Sequence, residues 1–69
     1  MTLIYESSHT GLADSFARLE KESEETFVVS LMMGTEVLES HFWKSINSAI
    51  ADYVNICATF ELSPLIKNL

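Results

Sequence analysis

Two histidines, one cysteine and a run of carboxylates are the residues of this chain whose types could do chemistry. His9 and His41 lie far apart, and neither sits in an HxxxH or CxxC pattern. A metal site needs three or four convergent ligands. Glu6 and His9 have ExxH spacing, but they fall in an N-terminal tail where no helix is expected to bring them onto one face. No metal and no other cofactor is expected. Cys57 and His41 could pair as nucleophile and base only if they met. On one helix they stand about four turns apart, roughly 24 Å by the 1.5 Å rise, so a single chain keeps them separate. An antiparallel dimer could in principle bring them together; Cys57 otherwise reads as a small core residue. The run EKESEE, residues 20–25, lacks the glycine that a calcium loop turns on, and reads as a solvated helix face or a surface for a basic partner. With no glycine-rich phosphate loop and no GxSxG elbow, no enzyme is expected.

Binding is better represented than catalysis. Met32 and Met33 beside Gly34, with Trp43 further on, are residue types common both in cores and at protein-binding surfaces. Trp43 can therefore pack in a core or dimer seam, or touch a partner. Arg18 can anchor a partner's carboxylate, or pair with Asp14 four residues back on its own helix. Trp43, Arg18, Met32 and Met33 are the candidate partner-binding residues.

The 69 residues allow one domain, 1–69, near the lower limit of size for a chain that folds alone. Hydrophobic residues make up 48% of it, with 1 Pro and 2 Gly, which argues against disorder. Four basic residues stand against ten acidic ones, a formal net charge of −6. Phosphate backbones and anionic lipid headgroups repel such a chain, so neither direct nucleic-acid binding nor membrane binding is expected. A basic protein surface suits it better; mimicry of nucleic acid is a second use of the charge, and solubility alone is a sufficient one. A single cysteine, no basic N-terminal leader pattern and no apolar run long enough for a membrane span point to a cytoplasmic protein.

The elements that must position these residues read as helices. Gly34 followed by Thr35, Glu36 and Glu39 has the order of one helix ending and the next being capped. Thr10 can cap a first helix after an extended TLIYE segment, and Ser63-Pro64 should stop the second, leaving LIKNL as a tail. The spacing predicts an all-α antiparallel hairpin, about 10–33 and 35–62. In the second helix Leu38, Phe42, Ile46, Ala49, Tyr53, Ile56 and Phe60 follow at intervals of three and four, a packing seam. Trp43, Ile50, Val54 and Cys57 flank it, and Ser40, Lys44, Ser48, Ala51, Asn55 and Ala58 form the solvated side. The first helix has Leu12, Phe16 and Leu19 on one side, then FVVSLMM from Phe27, apolar all round. The competing reading is a two-strand, two-helix α+β fold, because TFVVSL is rich in β-branched residues and TLIYE suits a strand.

A hairpin with one end apolar all round and a second helix with a broad apolar arc has more surface than its own seam covers. Pairing two hairpins about a two-fold axis into a four-helix bundle would bury the excess, so a homodimer is expected. Its dimer and core residues would be Leu12, Phe16, Leu19, Phe27, Leu38, Phe42, Ile46, Ile50, Tyr53, Val54 and Phe60.

In length and layout, with Arg18 in the first helix, the GTE turn at 34–36 and Trp43 in the second helix, the chain resembles the small early host-inhibitory proteins of bacteriophages. More narrowly, it resembles the quorum-sensing anti-activator family of phages that infect Pseudomonas. That resemblance implies a helical dimer, in the host cytoplasm, that binds a transcription regulator or another host protein and blocks it. It carries over no binding residue. The expected function is thus a non-enzymatic protein-binding inhibitor; an assembly component or an antitoxin-like partner of a single protein are the alternatives.

Overall fold

The apolar run FVVSLMM is a strand. The computed structural model describes residues 1–9 and 14–64. It contains β1 (Thr2–Glu6), β2 (Ser15–Ser23), β3 (Thr26–Met33), β4 (Glu36–Trp43) and one helix, α1 (Ile46–Thr59). The strands form a single antiparallel sheet in the order β1-β2-β3-β4, each joined to the next in sequence. A strand with neighbours on both sides need not alternate, and Phe27 to Met32 of β3 are all buried. The polar run around Glu24 and Glu25 is the turn of the β2–β3 hairpin. Gly34 turns β3 into β4 with a φ of +61°, the left-handed region in which a side chain is strained.

One face of the sheet carries α1, which packs against β2, β3 and β4. The core joins Ala17 and Leu19 of β2 with Phe27, Val29 and Leu31 of β3, and with Ala49, Tyr53, Ile56 and Cys57 of α1. Tyr5 of β1 closes one side, its ring centroid 5.8 Å from that of Tyr53. Ser45 caps α1, its side chain accepting from the Ser48 amide. The helix stops in a Schellman arrangement. Glu61 takes a φ of +57°, Leu62 N–H donates to the Cys57 carbonyl at 2.8 Å, and the Leu62 side chain returns to the core. Beyond it, Ser63 and Ser8 exchange two hydrogen bonds of 2.9 Å each, tying the end of the described chain to the end of β1.

The all-α hairpin is therefore wrong, and with it the four-helix bundle. Residues 15–33 hold two strands and 36–43 a third, and among the described residues only 46–59 are helical. The GTE turn is real, but it joins strands. The expected stop at Ser63-Pro64 comes several residues after the actual end of α1. The two-strand, two-helix alternative has two strands too few and one helix too many for the described residues. Leu38 and Phe42, placed in a helical seam by spacing, are instead exposed on β4. The Arg18–Asp14 pair does not form: Arg18 lies near Glu6 and Glu20, each at 3.6 Å, while Asp14 accepts from His9. Leu12, the Thr10 cap and the LIKNL tail lie outside the described residues.

Candidate functional site

The outer edge of the sheet at β4 is where this fold leaves most unfinished. β4 pairs with β3 on one side and with no strand of the described chain on the other, so its outward N–H and C=O groups are open. Native edges are commonly blunted by charge, proline or brevity. Here the edge is eight residues long and carries Val37 (57% exposed), Leu38 (46%), Phe42 (65%) and Trp43 (37%). Its one irregularity is a bulge between the Glu39 and Val37 pairs, at Leu38. β1, the other edge, is a five-residue strand.

The register with β3 sorts these side chains by face. Glu39, His41 and Trp43 lie opposite Leu31, Val29 and Phe27, on the face that carries α1. Ser40 and Phe42 lie opposite Ser30 and Val28, on the other face, over which the described chain places no element. Phe16, Val28 and Met32 give that face an apolar floor, all buried among their neighbours. The His9 ring stacks on Phe16 at 3.9 Å and shields it.

At its far end β4 is latched to α1 by Asp52. Oδ2 of Asp52 accepts from Trp43 Nε1 at 2.9 Å and meets His41 Nδ1 at 2.7 Å. The latch holds the indole against the helix while leaving it partly exposed. Beside it is a shallow hollow of about 470 Å³ lined by Trp43, Ser48, Ala51, Asp52 and Asn55. Ser48, Ala51 and Asn55 belong to the side expected to be solvated, and they lie on the surface next to the exposed edge.

A second polar cluster sits at the other end of the molecule. Both ring nitrogens of His9 face carboxylates, Asp14 at 2.7 Å and Glu6 at 3.2 Å. The hydrogen bond to Asp14, with Glu6 adding to it, raises the His9 pKa above the usual 6.5 against partial desolvation. Glu6 and His9 thus touch in a tail that was expected to keep them apart. Among the described residues no three His, Cys, Asp or Glu side chains converge as metal ligands would. Cys57 is fully buried, and burial pushes its thiol pKa up, away from the reactive thiolate. His41 is on β4, not on the helix of Cys57.

The proposed binding residues are thus dispersed. Arg18 is in the middle of β2, half-buried among acids. Met32 is buried, and Met33 is exposed at the end of β3, next to the turn. Trp43 is on the edge. Of the expected core and dimer residues, Phe16, Leu19, Phe27 and Tyr53 are buried and Ile46 and Ile50 partly so, whereas Leu38, Phe42, Val54 and Phe60 are exposed. Asp52 and Ser45 escaped sequence reasoning. Ser45 had a legible signal, a cap residue just before the first interval of three, whereas nothing local marks Asp52 as the partner of Trp43 and His41.

No protein family, characterised protein or solved structure matches this chain. The layout that carried the resemblance to phage anti-activators is not present, since Arg18, the GTE turn and Trp43 belong to strands and a hairpin. No helix among the described residues is long and apolar enough to cross a membrane.

Proposed function

We propose that this is a non-enzymatic interaction protein that works by occupying the surface of another protein chain, with β4 as its contact element. The observation that carries this reading is the co-location of an unpaired strand edge with four exposed apolar side chains, Val37, Leu38, Phe42 and Trp43. An added strand would satisfy the open backbone groups, while alternate side chains supply affinity and selectivity. Phe42 and Trp43 are of the residue types that anchor interfaces, and Asp52 holds the indole in one orientation at no further ordering cost on binding. The surrounding acidity favours a partner whose own strip is apolar and flanked by basic residues. Masking a partner's contact surface, as an inhibitor does, is what such an element delivers without chemistry of its own.

Affinity capture tests this with Phe42→Glu, a change at the most exposed aromatic of the edge. The wild-type chain should retain a specific protein that the variant loses, with the variant's circular dichroism unchanged. Equal recovery by both chains would remove β4 from the contact.

A further inference from the structure

β4 and the residue after it read Glu36-Val37-Leu38-Glu39-Ser40-His41-Phe42-Trp43-Lys44. About Ser40 this order is self-complementary. Stepping outward, an acid faces a base, two apolar residues face two aromatic ones, and an acid faces a base again. We propose that the β4 edge is closed by β4 of a second copy of this chain, antiparallel, with the two-fold axis through Ser40. This rests on the reading of β4 as a contact element and names its first occupant.

Strand geometry restricts the choice of register. The outward backbone groups of β4 belong to alternate residues, and directly opposed residues in an antiparallel pair share a face. Two identical strands can therefore pair only with the axis through a residue, never between two. Near the middle of β4 that leaves Glu39, Ser40 or His41. An axis at Glu39 sets Glu39 against its own copy, like charges in direct opposition, and puts Val37 against His41. An axis at His41 opposes the two imidazoles and sets Glu39 against Trp43. Only the Ser40 axis pairs Leu38 with Phe42 twice and Glu39 with His41 twice, so chemistry and geometry select one register.

The bulge leaves Glu39–Trp43 as the regular run of β4, so the self-paired ladder is regular over residues 39–41 and ends where Leu38, at the bulge, meets Phe42. Past the bulge Val37 lies opposite Met32 on the open face while Trp43 lies opposite Phe27 on the α1 face, so Val37 and Glu36 would neighbour Trp43 and Lys44 of the other copy without pairing directly. The faces agree with the pairing. Leu38, Ser40 and Phe42 share the open face of the sheet, so the two Leu38–Phe42 pairs would extend the apolar floor made by Phe16, Val28 and Met32. Of the groups so paired, only His41 has a partner already, Asp52 at its Nδ1, which leaves its Nε2 for Glu39 of the other copy. Arg18 and Lys21 have acidic neighbours within their own chain, whereas Glu36, Glu39 and Lys44 make no ion pair among the described residues. The result is one continuous eight-stranded sheet with no long free edge at its centre.

Three full-length variants, Glu39→Cys, Ser40→Cys and His41→Cys, read the register directly. Opposed Cα atoms on an axis lie about 4.5–5.5 Å apart, within reach of a disulfide. Under mild oxidation Ser40→Cys should give a covalent dimer several-fold more abundant than the other two. The wild type, whose Cys57 is buried, should give none. In sedimentation the uncrosslinked wild type should run at twice 7.8 kDa. Leu38→Lys and Phe42→Glu should each weaken that dimer by about tenfold, and the double variant should recover much of the loss by setting Lys against Glu. A folded monomer at all accessible concentrations, or crosslinking strongest at 39 or 41, overturns the proposal. If the monomer still loses its captured protein on Phe42→Glu, the self-pairing fails while the contact reading stands.

Discussion

Removing the Asp52 carboxylate should unlatch the Trp43 end of β4 from α1. Its Oδ2 serves both Trp43 Nε1 and His41 Nδ1, and the Asp52 side chain is only 13% exposed. Hydrogen bonds to a charged group contribute about 1.5–3 kcal/mol each. The partial exposure of both donors places these two toward the low end, so Asp52→Ala should lose about 2–3 kcal/mol in total. For a domain of this size that is a fall in melting temperature of about 10–20 °C. Asp52→Asn keeps an acceptor for one of the donors and should lose roughly half as much. Trp43 is the only tryptophan, so its fluorescence reports the latch directly. Thermal melts by circular dichroism, with emission spectra of the folded state, make the measurement. If Asp52→Ala melts within about 2 °C of wild type with unchanged emission, the latch contributes nothing and the reasoning fails.

Two further predictions concern the other end of the sheet. Ser7 is buried at the end of β1 and its Oγ accepts from the Ala17 amide at 2.7 Å, so Ser7→Ala strands a buried N–H and should cost about 1–3 kcal/mol in urea denaturation; an unchanged midpoint would refute that role. Asp14 and Glu6 favour the protonated form of His9, so its contribution to stability is complete below pH 6.5 and is lost as pH rises through its raised folded value. An NMR titration should place the His9 midpoint above 6.5, falling in Asp14→Asn; a midpoint at or below 6.5 would contradict the geometry.

The error over residues 36–43 has a particular cause. An interval of four keeps residues on one side of a helix and also on one face of a strand, because four is a multiple of two. Leu38, Phe42 and Ile46 are separated only by fours, so they fit either element. The first interval of three in that stripe runs from Ile46 to Ala49, and three is helical only. That is where α1 begins. Phe16 and Leu19 mislead as well: their interval of three looks helical, yet they lie on opposite faces of β2, Leu19 in the core with α1 and Phe16 under the His9 ring. Likewise FVVSLMM is apolar all round because it is central in a sheet.

The sequence by itself determined the turn at Gly34 and the helical spacing that runs on from Ile46, whereas the polar run around Glu24 and Glu25, which reads as a solvated helix face, is a hairpin turn. It also carried the charge. Tertiary structure alone decided that residues 15–43 are strands, because a strand's hydrogen bonds and much of its burial come from its neighbours rather than from itself. It alone brought Asp52 to Trp43 and His41, partners nine and eleven residues apart on different elements. And it alone made β4 an edge. Whether a strand is flanked on one side or two is a property of the sheet, and no local pattern within residues 36–43 records it.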